Sequence, residues 1–310
     1  MRGFVANTDY DWYSFLGSQP GIDEVNFWKP SGGSFGAVPV GSPFFFRLKA
    51  PYNAIAGFGY FANSSVLPAW LAWEAFQVKN GASDFAEMRR RIEKYRNRFK
   101  SQPSNRAGDY DVGCVMIAAP VFFPRELWVP DADDWAPNIV TGKTYSLTEG
   151  EGLRIFTECM ARAEGLGGAS ALVAEDAPRY GKPVEISPRL GQGIFRVEVL
   201  DAYGRACAVT GEHSLSVLEA AHIKPYAEGG AHSVDNGLLL RSDVHKLFDL
   251  GYVTVTPDYA FRISDALREE YNNGRAYYEH QGDRLHLPSD PASYPSRELL
   301  DWHGQAVYRG

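Results

Sequence analysis

The 310-residue chain has a net charge of −7, with 45% hydrophobic and 22% charged residues. This composition is typical of a folded globular protein with room for about two domains. No apolar run approaches the roughly 20 residues that a membrane helix needs, and the first residues lack the apolar core of a secretory signal. We therefore expect a cytoplasmic protein without a membrane partner. The acidic total also counts against a protein that binds nucleic acid over its whole surface.

The three cysteines, Cys114, Cys159 and Cys207, form no CxxC pair. Unpaired thiols favour a reducing compartment over a disulfide framework. The stretch CAVT at 207–210 has one cysteine where a zinc knuckle needs two. The sequence therefore predicts no structural zinc.

The first half of the chain is rich in aromatic residues and short apolar runs. Residues 43–49 (PFFFRLK) and 54–61 (AIAGFGYF) are nearly continuous apolar segments separated by a turn signal. Such segments are typical of strands that are buried on both faces, as in a small barrel. A further strand is predicted over 112–123.

Helices are predicted over 66–99 and 148–165. In the first, apolar residues recur at spacings of three and four before a basic stretch begins. In the second, Thr148 and Glu151 are placed as a capping box. Small residues and prolines over 165–193 indicate a linker. The expected organisation is a domain at 1–165, a linker at 166–194 and a second domain at 195–310.

A basic stretch begins near the end of the first predicted helix. Residues 88–106 hold eight cations and one anion, Glu93. Cations at this density can neutralise DNA phosphates, and counterion release then makes binding salt-dependent. The alternative interpretation is an ordinary solvated helix face. The predicted phosphate contacts are Arg89, Arg90, Arg91, Lys94, Arg96, Arg98 and Lys100.

All seven histidines lie after residue 212, and two of them belong to an ordered pattern over 218–253. LEAAHIKPYA predicts a strand, DNGLLLR a second strand, and SDVHKLFDLG a helix with Ser242 or Asp243 as its N-cap and Gly251 as its C-cap signal. Each of the three elements carries one residue suited to catalysis, namely His222, Asn236 and His245. The other histidines are interpreted as structural: His213, His232, His280, His286 and His303.

These residue types suit phosphodiester hydrolysis, which needs a base to activate water and a cation to neutralise the phosphate. His222 suits the base, because an imidazole titrates near neutral pH. His245 suits a divalent ion, with Asp249 on the same helical face or Glu219 as a carboxylate co-ligand. Asn236 would hold the loop or orient His222.

The series AHIKP, DNGLLL and SDVHKLFD resembles the HNH motif of the ββα-metal nucleases, in the form found in bacterial restriction endonucleases. The resemblance covers about 195–310. It implies Mg²⁺ or Mn²⁺ as cofactor, and it implies His222 as general base, Asn236 as structural middle residue and His245 as metal ligand. The chain departs from the family pattern at Ala221, where many relatives carry a ligand, and in lacking paired CxxC motifs.

The stretch NFWKPSGG at 26–33, together with the strand segments that follow it, resembles the PUA-like β-barrel family. That resemblance implies a module that recognises a modified base, often flipped into a pocket of aromatic faces and polar groups. The alternative is that these aromatic residues are barrel core. The predicted pocket residues are Trp12, Trp28, Tyr60, Trp70, Asn26, Lys29, Ser31 and Asn53.

The sequence thus predicts an α+β protein, with an N-terminal PUA-like β-barrel and flanking helices, and a C-terminal ββα-metal HNH domain. The expected function is a modification-dependent DNA endonuclease of anti-phage restriction. It would act on double-stranded DNA that carries a modified base, and the expected base is a cytosine derivative. A homodimer would supply the two sites that a double-strand break needs. Two alternatives stay open: a nuclease or nickase for unmodified DNA, and a nucleic-acid binding protein with a decayed HNH domain.

Overall fold

The structure, a computed structural model, describes residues 1–98, 110–166, 191–271 and 275–310. Its internal contacts divide the chain into two units, Met1–Ile194 and Phe195–Gly310. Each unit combines helices with strands, so the predicted α+β class is confirmed. Most of the predicted linker, residues 167–190, lies outside the described residues. No described helix has the length and apolar character needed to cross a membrane.

A seven-stranded mixed sheet forms the first unit. Its strands are β1 (Arg2–Thr8), β2 (Glu24–Lys29), β3 (Pro43–Leu48), β4 (Ala54–Pro68), β5 (Asp111–Phe122), β6 (Val129–Pro130) and β7 (Gly142–Ser146). Its helices are α1 (Tyr10–Gly17), α2 (Ala69–Phe76), α3 (Phe85–Arg98) and α4 (Gly150–Gly165). The strand order is β2-β5-β4-β3-β1-β7, with β6 paired to β4 beside this path. Only β1 and β3 run parallel, and the path is open at β2 and β7 within the described residues, so closure into the predicted barrel is not shown.

The strand β3 is buried on both faces, as its apolar run predicts. Phe45 packs into one core cluster, which also contains side chains of α4. Phe44 and Phe46 pack into a second cluster, which contains side chains of α1. Successive side chains of a strand point to opposite faces, so an unbroken apolar run needs cover on both sides. The strand predictions over 43–49, 54–61 and 112–123 are confirmed.

The first predicted helix is interrupted, so its prediction as one element is wrong. The strand β4 extends to Pro68, and a 3₁₀ turn at Gln77–Asn80 separates α2 from α3. Gly81 ends this turn with a φ of 77°. A Cβ at Gly81 would lie 2.1 Å from the ring of Trp12, so a close approach to that ring requires glycine here. Apolar spacing alone does not reveal such a break.

The second predicted helix is confirmed as α4, but its predicted capping box is wrong. The N-cap residue is Glu149, and no side chain caps the helix there. Glu151, the proposed partner of Thr148, instead accepts the backbone N–H of Asp133 at 2.9 Å. The carboxylate is used by a neighbouring loop and is therefore not available to the helix start.

The second unit is built around a β-hairpin followed by a helix. Its elements, in chain order and counting a helix that begins in the first unit, are α5 (Gln192–Ala202), β8 (Leu218–His222), β9 (Gly237–Arg241), α6 (Ser242–Asp249), β10 (Val253–Val255), β11 (Phe261–Ile263), α7 (Ala266–Tyr271), α8 (Arg275–Tyr278) and α9 (Arg297–Ala306). β8 pairs antiparallel with β9, and α6 follows β9 directly. The predicted order of strand, loop, strand and helix is confirmed. The N-cap of α6 is Arg241, one residue earlier than predicted, and Gly251 follows the helix with a φ of 76°.

Candidate active site

His222 is the last residue of β8 and lies half-buried against two other rings. Phe195 stacks on its imidazole, with ring centroids 3.9 Å apart and an interplanar angle of 15°. Its Nε2 shares a hydrogen bond of 2.9 Å with Nδ1 of His232. Burial, and then the charges of His232 and His245, lower the pKa of His222 to about 4. The imidazole is therefore neutral near pH 7 and able to accept a proton.

Asn236 is fully buried and ties together the loop between β8 and β9. Its Oδ1 accepts the backbone N–H of Lys224 at 2.9 Å, and its Nδ2 donates to the carbonyls of Lys224 and Ala231 at 2.9 and 2.8 Å. The loop can approach this closely because Gly230 has no side chain: a Cβ there would lie 1.9 Å from the Lys224 carbonyl oxygen. The amide therefore fixes the start and the end of the loop.

His245 lies on α6 with a carboxylate at each ring nitrogen. Nδ1 is 2.6 Å from Oε2 of Glu219, which lies on β8, and Nε2 is 3.5 Å from Oδ1 of Asp249, one helical turn further on. Burial acts to lower the pKa of His245, but the hydrogen bonds to Asp249 and Glu219 outweigh it, and the net pKa is raised. The two carboxylates thus favour the protonated form of the His245 ring.

The donors around His245 suit a hard divalent cation in their chemistry, but they are few. Among the residues that the structure describes, no three His, Cys, Asp or Glu side chains are arranged to hold one metal ion. Ala221, directly before His222, is fully buried and offers no side-chain donor. Mg²⁺ commonly keeps several waters and uses one or two protein groups with substrate phosphate. A pair of protein ligands at this site therefore fits that ion.

Two side chains at this site were not predicted from the sequence. The ring of His232 stacks on Tyr226, with centroids 4.6 Å apart and an interplanar angle of 7°. The Tyr226 side chain is itself 65% exposed. The available signal was the position of both residues in the loop between the motif strands. Position in the loop does not predict that the two rings stack, because the path of the loop decides which side chains meet.

Three of the predicted base-recognition residues are buried. Trp12 and Tyr60, at 4% and 3% exposure, belong to the two core clusters of the sheet. Burial raises the pKa of the Tyr60 hydroxyl to about 12. Asn26 is fully buried on β2, where its Nδ2 donates to Oδ1 of Asn80 at 2.9 Å. Its own Oδ1 is buried and has no hydrogen-bond partner within the described part of the chain.

Trp28 and Lys29 follow on the same strand and are half-buried. Nε1 of Trp28 donates to the Asn80 carbonyl at 3.0 Å, and Nζ of Lys29 donates to the Ser34 carbonyl at 2.7 Å. Burial lowers the pKa of Lys29. The 3₁₀ turn that ends at Asn80 therefore joins Trp28 to the buried amide of Asn26.

The other three predicted base-recognition residues lie on different elements. Ser31 is exposed after β2, and Trp70 is half-buried on α2. Asn53 is exposed in the turn between β3 and β4, where its Oδ1 accepts a hydrogen bond from Arg47 at 3.2 Å. No single arrangement of all eight predicted residues is evident from these contacts.

The basic helix α3 uses much of its charge internally. Arg96 donates to the Pro30 carbonyl at 2.8 Å, while Lys94 is exposed. The side chain of Arg98 and the whole of Lys100 lie outside the described residues. Three predicted phosphate contacts form ion pairs within the helix: Arg89 with Glu93, and Arg90 and Arg91 with Glu87.

Residues 207–256 match the family described as HNH endonuclease. The matched segment contains His222, Asn236 and His245, and it constitutes an HNH endonuclease domain within the second unit. No curated protein matches the sequence.

Solved structures with a partial likeness include two from one protein and one from a restriction enzyme. Two point mutants of the ZmASCH protein from Zymomonas mobilis match with TM-scores of 0.31 and 0.30 at 10% identity, covering 50% of this chain and 96% and 94% of theirs. The modification-dependent TagI restriction endonuclease matches with a TM-score of 0.27 at 13% identity, covering 86% of this chain and 61% of its own. TM-scores this low do not establish a common fold.

Proposed function

We propose that this protein is a metal-dependent HNH endonuclease that cleaves double-stranded DNA. The observation that supports catalysis most directly is a neutral His222 near a carboxylate-flanked His245, inside the segment that matches the HNH endonuclease family. These two groups are the base and the cation-binding residue that phosphodiester hydrolysis requires.

His222 is the proposed general base. Its lowered pKa keeps the imidazole unprotonated near neutral pH, so it is ready to take a proton from the attacking water. A pKa of about 4 alone would make it a weak base. The negative charge of an incoming phosphate favours the imidazolium and so raises this pKa when substrate binds. Asn236 keeps the loop beside His222 in place through its three hydrogen bonds.

His245 and Asp249 are the proposed ligands of a divalent ion, Mg²⁺ or Mn²⁺. Glu219 is the proposed orienting carboxylate, because its 2.6 Å contact with Nδ1 is a direct hydrogen bond, and a metal-binding histidine commonly donates its second N–H to a carboxylate. Asp249 stands 3.5 Å from Nε2, the nitrogen that this arrangement leaves for an ion. When bound, the ion would neutralise charge on the scissile phosphate and on the leaving oxygen.

Residues 1–165 are the proposed base-recognition region, with a modified cytosine as the proposed target. The unpartnered, buried Oδ1 of Asn26 supports this, because the exocyclic amino group of a cytosine donates hydrogen bonds and such an oxygen accepts them. The half-buried ring of Trp28, on the same strand, is the proposed stacking surface. Trp12 and Tyr60 are not retained in this role, since their rings fill the core clusters. A homodimer is proposed for double-strand cleavage.

The test is cleavage of four matched duplexes in Mg²⁺ or Mn²⁺, with cytosine, 5-methylcytosine, 5-hydroxymethylcytosine or glucosylated hydroxymethylcytosine. We expect cutting of some modified duplexes and sparing of the unmodified one. Nicked and linear products are counted separately, because a homodimer predicts linear DNA.

Other results favour the alternatives. Equal cutting of all four duplexes would make the protein a nuclease for unmodified DNA, and nicking alone would argue against the homodimer. DNA binding without cutting in either metal would favour a binding protein with a decayed HNH domain. The buried Ala221 at a ligand position is the feature that this last alternative would explain.

A further inference from the structure

We infer that His232 is a positioning residue for the general base: it holds His222 in the one tautomer whose Nδ1 can accept the proton of water. This inference rests on the proposed nuclease function and assigns a role to a histidine outside the three motif residues. The observation that carries it is the 2.9 Å hydrogen bond between Nε2 of His222 and Nδ1 of His232.

A hydrogen bond between two neutral imidazoles allows two arrangements. Each ring carries one hydrogen, on either Nδ1 or Nε2. In the first arrangement, Nε2 of His222 donates to Nδ1 of His232, and Nδ1 of His222 keeps a free lone pair. In the second, Nδ1 of His232 donates, and the hydrogen of His222 sits on Nδ1. The second arrangement leaves His222 with no nitrogen that can act as a base.

The first arrangement is the one that both rings favour. It places each hydrogen on Nε2, which is the more stable tautomer of an isolated neutral imidazole, whereas the second forces both rings into the less stable form. When Nδ1 of His222 takes the proton of water, the ring becomes an imidazolium, and its Nε2–H bond to His232 becomes a stronger, charge-assisted bond. His232 therefore favours the protonation step as well as the starting tautomer.

The loop holds His232 in a defined place by two independent contacts. Tyr226 covers one face of the His232 ring by stacking. Asn236 anchors the carbonyl of Ala231, the residue directly before His232. The buried Phe195 stacks on the ring of His222 and limits its rotation. The second histidine is thus positioned by packing and hydrogen bonding, as a residue that orients another must be.

The first experiment measures the tautomer directly and needs no cleavage. Long-range ¹H–¹⁵N spectra of the full-length protein, labelled on histidine nitrogens, report which nitrogen carries the hydrogen. Comparison with His222→Ala assigns the His222 signals. Near neutral pH we expect the Nε2–H form of His222 in the wild type and a mixture of both forms in His232→Phe. An Nδ1–H form in the wild type, or an unchanged tautomer in His232→Phe, would overturn the inference.

The second experiment measures single-turnover cleavage in three matched proteins. His232→Phe keeps a ring for Tyr226 to stack on but removes the hydrogen bond, and we expect the cleavage rate to fall about 10- to 100-fold. His232→Asn places an amide oxygen where Nδ1 stood, bonded to the same Cγ, and should recover most of that rate. DNA affinity and the thermal midpoint should stay close to the wild type in both variants.

The outcomes separate this inference from the function on which it rests. A wild-type protein that cuts no duplex in either metal contradicts the proposed nuclease, while the tautomer spectra still decide whether His232 orients His222. A wild type that cuts, with His232→Phe cutting equally fast or His232→Asn no faster than His232→Phe, overturns the positioning role alone.

Discussion

The candidate active site and the proposed base-recognition region differ in how locally the chain encodes them. The three motif residues of the active site fall within 222–245. His222 ends β8, Asn236 lies directly before β9 and not on the strand predicted for it, and His245 lies on the helix that follows β9 directly. The residues predicted for base recognition extend from 12 to 70, over helices, strands and turns, and some of them fill the core. Residues on consecutive elements can be assigned to one site from their spacing in the sequence. Whether residues spread over several elements share a site depends on which face of its strand or helix each side chain occupies.

The largest effect is expected at the active site. His222→Ala should reduce cleavage by roughly 10²- to 10⁴-fold, since a positioned general base contributes about that factor. DNA affinity, measured in the same buffer by fluorescence anisotropy, should be unchanged. His213→Ala, at an exposed position of the same unit, is the control and should cut like the wild type. Full activity in His222→Ala would contradict the role of His222 as general base.

A second prediction concerns acid, because all seven histidines lie in the second unit. Burial lowers the pKa of His303 to about 4, and its ring is 2% exposed between Thr254 and the Phe248 carbonyl. His303 takes up a proton near pH 6.5 in the unfolded chain but only near pH 4 in the folded chain, so its contribution makes stability fall as pH drops from about 6.5 to about 4. For His303 this corresponds to on the order of 3 kcal/mol. His222 acts in the same direction, whereas the raised pKa of His245 acts in the opposite one.

Hydrogen exchange resolved by peptide would measure this acid response in both units at once. Exchange should accelerate on acidification in Phe195–Gly310 more than in Met1–Ile194, which contains no histidine. His303→Gln keeps a side-chain amide that can donate to the Phe248 carbonyl but does not titrate in this range, so its exchange should depend less on pH. A uniform response of the two units would show that the buried histidines are not the cause.

The third prediction separates the two carboxylates at His245. Asp249→Asn should weaken Mn²⁺ binding, measured by calorimetry, more than Glu219→Gln does. Loss of an orienting carboxylate costs about 10- to 100-fold in metal affinity, and loss of a ligand should cost more. The reverse ranking would make Glu219 the ligand, on the strand that also carries Ala221.

The smallest effect is expected in the first unit, at the basic helix. Lys94→Ala should lower the slope of log affinity against log salt by about 0.9, the value for one lost phosphate contact. Arg91→Ala is the matched control, because Arg91 already forms an ion pair with Glu87 and donates a hydrogen bond to the Gly81 carbonyl. An unchanged slope in Lys94→Ala would favour the interpretation of α3 as an ordinary solvated face.

Much of the second unit could be predicted because local rules decide it. The hairpin strands, the helix α6 and its termination just before Gly251 follow from short apolar runs and a terminal glycine. The match over 207–256 agrees with the resemblance of the motif. The N-cap shifted by one residue because Arg241 already has the extended backbone that precedes the helix.

Less of the first unit could be predicted, since the burial of its aromatic residues depends on partners distant in sequence. Trp12 is in the core because Phe27, Phe46 and Phe122 surround it. The break between α2 and α3 depends likewise on the contact of Gly81 with that ring. Neither contact leaves a trace in apolar spacing.

The sequence by itself determined the hairpin and helix of the second unit, that both faces of β3 need cover, and which three residues share the hairpin and helix of the candidate site. Only the tertiary structure decided that Nδ1 of His245 meets Glu219, that Asn26 keeps an unpartnered oxygen, and that His232 meets His222. The physical reason is range: strand alternation and helical periodicity act over a few residues, while a hydrogen bond between side chains needs a backbone path that loop geometry and packing set together.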